Sequence, residues 1–217
     1  MPTFQQRLEN SNPTFLIEDL GSGLPYEKTW KAMQEYTQLR NADSHDKIWL
    51  LEHNPIYTLG LAGKASHLLQ PNGIELLRCD RGGQITYHGP GQLMVYFLCD
   101  LKRLQIKIHD WITLLETLMI HFLATLNITA FANPKARGIY IKGKKIASIG
   151  LKISKGCCYH GLALNVSLDL SPFDAITPCG IQDLSMCKLQ DFLPNMSIDE
   201  VKLQLRNYII QFLQKTY

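Results

Sequence analysis

Residues 81–92 read RGGQITYHGPGQ, and this stretch organises the reading of the whole chain. Four of its twelve residues are glycine and one is proline. That composition argues against a regular helix or strand. Glycine loses the most backbone entropy on ordering, and it serves where a side chain would block a close approach. Arg81, Gln84, Thr86, Tyr87 and His88 each bring a hydrogen-bonding group to the stretch. Directly after it, residues 93–98 form an apolar run that ends before Asp100, the pattern of a buried strand. A polar, glycine-rich loop feeding a core strand predicts one wall of a binding site, since a plain turn needs only one or two glycines.

Working outward, residues 14–20 (TFLIEDL) predict a strand closed by Gly21-Ser22-Gly23. Pro25 suits the first turn of a helix that carries Tyr26, Trp30 and Met33 at helical spacing to about Arg40. Residues 48–52 and 56–59 predict strands separated by His53-Asn54-Pro55, and residues 74–79 an extended run. The clearest helix spans 108–126, where Trp111, Leu114, Leu115, Leu118, Met119, Phe122 and Leu126 repeat at i, i+3 and i+4. Residues 138–141 and 146–153 are strand-like about a Lys-Gly-Lys-Lys turn, and 158–168 follow as another strand. A short helix is expected within 183–189. Ser197 and Glu200 form a capping box at the start of a last helix. Helices and hairpins mixed in this order predict an α+β fold in a single domain over 1–217.

Composition narrows the function classes. The chain has 217 residues, 46% hydrophobic and 19% charged, enough for one sizeable core. A net charge of +3 is too mild for a nucleic-acid surface and compatible with an acidic protein partner. The N-terminal MPTFQQRLEN lacks a secretory pattern, and the longest uncharged run, 82–99, holds glycines, a proline and glutamines unsuited to lipid. These features predict a soluble, cytoplasmic protein with no membrane or nucleic-acid partner. Six cysteines occur without zinc-ligand spacing. No phosphate-loop or H-E-x-x-H signature is present.

One cysteine has unusual surroundings. Cys179 lies between Pro178 and Gly180 in a loop rich in breakers. A thiolate there is placed to attack a carbonyl, with backbone N–H groups available for the oxyanion; a small residue tucked under a turn is the plainer reading. A nucleophilic cysteine needs a base or cation beside it. His88, His160 and Lys145 are the candidates, and local sequence by itself favours a solvated Lys145 in a basic turn.

Several stretches, in order and spacing, resemble the lipoyl(octanoyl) transferase family. They are HNPIYTLG from His53, RGGQITYHGPGQL from Arg81, GKKIASIGLKI from Gly143, YHGLALNVSLDLSPF from Tyr159 and PCG at 178–180. The resemblance covers most of the chain. It implies the α+β fold of lipoate- and biotin-protein ligases, a larger mixed sheet flanked by helices with a smaller sheet beside it. It implies octanoyl transfer from octanoyl-acyl carrier protein to a lysine of lipoyl domains, those of 2-oxoacid dehydrogenases and of the glycine cleavage H protein, without a cofactor or metal. Cys179 would be the nucleophile and Lys145 its partner. Acyl binding would fall to Arg81, Gly82, Gly83, Gln84, Ile85, Thr86, Tyr87 and His88, to Ser148, Ile149 and Gly150, and to Gly161, Leu162 and Ala163. Lys102, Arg103, Lys107, Lys152, Lys155 and the 142–145 turn would offer a basic face to acidic partners. An ATP-dependent lipoate-protein ligase and a non-catalytic acyl- or lipoyl-domain-binding module are the alternatives.

Overall fold

The computed structural model describes residues 15–177 and 184–216. In chain order the elements are β1 (Phe15–Leu24), α1 (Tyr26–Leu39), β2 (Asp46–His53), β3 (Ile56–Leu59), β4 (Leu76–Arg78), β5 (Ile85–His88) and β6 (Gln92–Asp100). There follow α2 (Ile108–Thr125), β7 (Phe131–Ala132), β8 (Ile139–Ile141), β9 (Lys144–Ser154), β10 (Cys157–Asn165) and α3 (Ile198–Thr216). The fold is α+β. A seven-stranded mixed sheet runs β1-β2-β6-β10-β9-β8-β7, and a three-stranded sheet runs β4-β3-β5.

The apolar run after the glycine-rich stretch becomes β6, in the middle of the large sheet. Its side chains alternate between two cores, as a period of two requires. Leu93, Val95, Phe97 and Cys99 pack with α2 and α3 through Trp111, Leu115, Met119, Val201, Leu205 and Ile209. Met94, Tyr96 and Leu98 face the other way, onto α1 at Met33. A strand covered on both faces has no polar alternation, which is why its sequence is continuously apolar. Trp111 is fully buried and meets Phe97 edge to face at 5.7 Å. At α3 the capping box is present: Ser197 Oγ accepts from the Glu200 N–H at 3.3 Å, and Glu200 Oε2 accepts from the Ser197 N–H at 2.8 Å.

Four expectations need correction. Residues 85–88 are not loop but strand β5, antiparallel to β3; pairing on β3 outweighs the local glycine content. The described residues 184–188 are not helical: Met186 bridges Lys145, and a short 3-10 turn comes only at Leu189–Asp191. Lys145 is not part of a basic surface, being 1% exposed. Arg103 is committed as well. Its Nη2 lies 2.9 Å from buried Asp46, and its Nη1 donates to the Ser44 carbonyl at 2.8 Å.

Trp111 locks α2 onto β6, so Trp111→Ala should cost about 3–5 kcal/mol of stability. Urea unfolding at neutral pH checks this, and a loss below about 1 kcal/mol would mean that the helix is held elsewhere.

Candidate active site

Most of the residues singled out in the sequence converge on one cavity between the two sheets. Arg81, Gly83, Gln84, Ile85, Thr86 and His88 line one side. Ser148, Ile149 and Gly150 on β9, Gly161, Leu162 and Ala163 on β10, and Lys145 line the other. Two behave differently. Gly82 anchors the wall through its backbone, its N–H donating to the Leu151 carbonyl at 2.8 Å, and lines an adjoining hollow. Tyr87 turns away from the cavity into the small-sheet core, where it meets Phe173 edge to face at 5.8 Å. Alternation along β5 explains this: His88 and Thr86 cannot share a face with Tyr87.

Five lining residues carried no such expectation as cavity walls: Tyr26, Met94, Tyr96, Arg137 and His160. Met94 and Tyr96 were accessible to sequence reasoning, since they alternate with the core positions of β6. Arg137 had no sequence signal.

The cavity's polar wall is held by hydrogen bonds running in one direction. Arg81 Nη2 donates to Thr58 Oγ1 and to the Thr58 carbonyl, both at 2.7 Å. Thr58 Oγ1 lies 3.1 Å from His88 Nε2, and His88 Nδ1 lies 2.7 Å from Gln92 Oε1. The Gln92 oxygen can only accept, so Nδ1 carries the proton and Nε2 accepts from Thr58. Gln92 Nε2 donates to Asn165 Oδ1 at 2.9 Å, and Asn165 Nδ2 donates to the Cys187 carbonyl at 3.0 Å.

A second group centres on Asp80. It accepts from Trp30 Nε1 at 2.8 Å, from His160 Nε2 at 3.0 Å, and from the Tyr159 hydroxyl. Burial opposes ionisation of Asp80, but the hydrogen bonds from His160, Tyr159 and Gln34 hold its carboxyl well below the usual range. His160 occupies φ 62° within β10, a left-handed conformation uncommon for a non-glycine residue. Tyr26 stacks on His88 at 5.5 Å and on His160 at 6.3 Å. His53 joins them: its Nδ1 donates to the Leu24 carbonyl at 3.0 Å, leaving Nε2 to accept from Tyr96 at 2.8 Å. Burial pushes all three histidines toward the neutral form: His53 to about 4, His160 below its ordinary value, and His88 well below, with the Arg81 charge adding to the last.

Lys145 enters from the opposite side. A two-residue turn, Lys142 at φ 48° and Gly143 at φ 83°, joins β8 to β9. Both angles are positive, as a type I′ hairpin requires. The turn is therefore shorter than the basic run suggests, and Lys145 already belongs to the strand. Its Nζ donates to the Arg137 carbonyl at 3.0 Å and sits 5.3 Å over the Tyr140 ring. Gly138 makes room for it. Its φ is 138°, and a Cβ there would meet the Ala147 carbonyl at 2.7 Å and Lys145 Cε at 3.0 Å.

Cys179 lies outside the described residues. The chain on either side of it is well tied. Before it, the Thr177 N–H donates to the His67 carbonyl at 2.8 Å. After it, the Lys145 N–H donates to the Ser185 carbonyl at 2.9 Å, and the Cys187 N–H donates to the Lys145 carbonyl at 3.0 Å. The cavity thus joins a half-apolar lining, a ring of neutral histidines and tyrosines, and a buried amine.

Residues 25–210 match the family model described as the lipoyl protein ligase A/B catalytic domain. An octanoyltransferase of Marinomonas sp. (strain MWYL1) is 46% identical over 202 residues, 93% of this chain and 94% of that protein. One from Vibrio vulnificus (strain YJ016) is 47% identical over 188 residues, 87% and 86% of the two chains. Among solved structures, lipoate-protein ligase A bound with ATP is similar at TM-score 0.73 and 19% identity, covering 94% of this chain and 86% of that one. A biotin protein ligase from Aquifex aeolicus, in complex with biotin and ATP, is similar at TM-score 0.57 and 15% identity, covering 92% and 71%. At such identities the structures speak for the fold, a larger sheet with helices and a smaller sheet beside it.

The neutral histidines have a pH consequence. Between the ordinary histidine value near 6.5 and the folded value of about 4 for His53, the unfolded chain binds more protons than the folded one. Stability then rises with pH, and is lost as pH falls through that window. Urea unfolding at pH 7 and at pH 5 should differ by on the order of 2 kcal/mol or more. Equal stability at both would show that these imidazoles protonate freely in the folded state.

Proposed function

The chain belongs to the lipoyl protein ligase A/B catalytic-domain family, and from that membership we propose that it transfers an octanoyl group from octanoyl-acyl carrier protein to a lysine of a lipoyl domain through a thioester on Cys179. The acceptors are the lipoyl domains of 2-oxoacid dehydrogenases and the glycine cleavage H protein. Near-full-length identity of 46–47% to octanoyltransferases supports the reaction class. The observation that carries the residue assignment is the buried Lys145. A lysine at 1% exposure loses most of its hydration, a cost that the Arg137 carbonyl and the Tyr140 ring offset only in part. Buried lysines of this kind serve as bases. Lys145 lines the cavity, and the segment that follows Cys179 is hydrogen-bonded to its backbone.

The chemistry needs two acyl transfers. The sulfur of Cys179 attacks the octanoyl carbonyl of the donor. A carbon–sulfur bond forms to Cys179, the bond to the carrier's sulfur breaks, and the carrier leaves as a thiol. In its neutral amine form, Lys145 Nζ takes the proton from Cys179 and returns it to the departing sulfur. The acceptor's amine then attacks the same carbonyl. A carbon–nitrogen bond forms, the thioester breaks, and the proton lost by the amine passes by way of Lys145 to the Cys179 sulfur. One thioester replaces another in the first step, and an amide replaces a thioester in the second, so no ATP is required.

The cavity lining sets the substrate. Met94 and Ala163, paired across β6 and β10, give it an apolar wall. Each buried methylene is worth about 0.8 kcal/mol, so cavity depth can measure chain length. Gly161 lets β10 lie close against β6, since a Cβ there would collide with the Val95 carbonyl. A thiol nucleophile suits a reducing compartment, and the cytoplasm fits.

Incubation with octanoyl-acyl carrier protein, without ATP, tests this. Intact mass should rise by one octanoyl group, removable with hydroxylamine and absent from Cys179→Ala. Lys145→Ala should slow the gain by about 100-fold or more. Acylation that requires ATP, or transfer that survives Cys179→Ala, would refute the thioester route.

A further inference from the structure

One buried carboxylate is unused by this chemistry. Glu116 lies on α2 between core residues and is 3% exposed. A buried carboxylate is tolerated only when its oxygens are paired. Glu116 has two partners on one short segment. Its Oε2 accepts from Arg137 Nη1 at 2.7 Å, and its Oε1 accepts from the Gly138 N–H at 3.4 Å. Arg137 Nη2 also donates to His109 Nε2 at 2.9 Å. His109 and Glu116 are two turns apart on α2, so one helix face grips the guanidinium at both ends.

The Gly138 N–H and the Arg137 carbonyl are the two ends of one peptide unit, and that carbonyl accepts from Lys145 Nζ. A peptide unit is planar, so fixing the direction of its N–H fixes the direction of its C=O. Gly138 also has the one side-chain size compatible with this arrangement. We propose that Glu116 is a positioning residue for Lys145: through the Arg137–Gly138 peptide it aims the carbonyl that holds Nζ at the reacting end of the cavity. The assignment rests on the reading of Lys145 as the proton carrier. It adds a carboxylate that never touches substrate.

A double-mutant cycle separates this role from a purely structural one. The rate of Cys179 acylation by octanoyl-acyl carrier protein is measured without ATP in wild type, Glu116→Leu, Glu116→Gln, Lys145→Ala and the double variants, with circular dichroism and thermal unfolding as folding controls. Glu116→Leu should lower the saturated rate by about 10- to 100-fold, the scale expected of a misplaced reacting group. The donor KM should change by less than about threefold. Glu116→Gln, which keeps an acceptor for the Gly138 N–H, should lose less. On the Lys145→Ala background either change at 116 should alter the rate by no more than about twofold. If the leucine variant fails to fold, the glutamine variant carries the same cycle. Wild-type rates in the Glu116 variants, or an equal fractional loss with and without Lys145, would overturn the assignment while leaving Lys145 in place. A wild-type rate in Lys145→Ala would instead remove the proton-carrier reading, and the Glu116 proposal with it.

Discussion

The arrangement depends on a run of hydrogen bonds that all point the same way, from Arg81 through Thr58, His88, Gln92 and Asn165 to the Cys187 carbonyl. It crosses from the glycine-rich wall to the small sheet, then to β6 and β10 of the large sheet. It ends on the segment that follows Cys179, whose next bond goes to the Lys145 backbone. His88 must be neutral for the run to close, because only then does its Nε2 accept. Each member is buried, and leaving one unpaired costs about 1–3 kcal/mol. The wall, the strands and the lysine are therefore placed as a unit. A fault at one member propagates to the others.

The large sheet supplies rigid walls on β9 and β10, and the small sheet supplies the wall that carries Arg81 and His88. Helix α2 packs under the large sheet through Trp111 and reaches the Lys145 side through Glu116 and Arg137. The site thus sits on strands, with its supporting charges on the helix behind. Among the described residues no helix is long and apolar enough to cross a membrane.

Much of this was legible in the residues. Residues 93–98 announced a strand buried on both faces, and the Trp111 stripe announced its covering helix. The glycines at 82, 83, 89 and 91 announced a wall. What escaped depended on distant partners. Residues 85–88 read as loop because their glycine-rich neighbours hid a strand formed by pairing with β3. Residues 184–188 are held extended by Lys145, a contact some forty positions back in the chain. Lys145 looked solvated because three lysines in four residues resemble a surface turn; the two-residue geometry of Lys142-Gly143 places it in the strand instead. Glu116 carried no signal of its own, since Arg137 and Gly138 are brought to it only by the β8 approach. The resemblance, not local sequence, pointed to Lys145, and Cys179 itself lies outside the described residues.

The most direct measurement is rapid-quench mass spectrometry of the Cys179 thioester during steady-state transfer to a lipoyl domain. If Cys179 carries the acyl group between donor and acceptor, the thioester forms and decays at least as fast as overall turnover. A thioester that forms or decays more slowly than product appears would place Cys179 off the path and contradict the account.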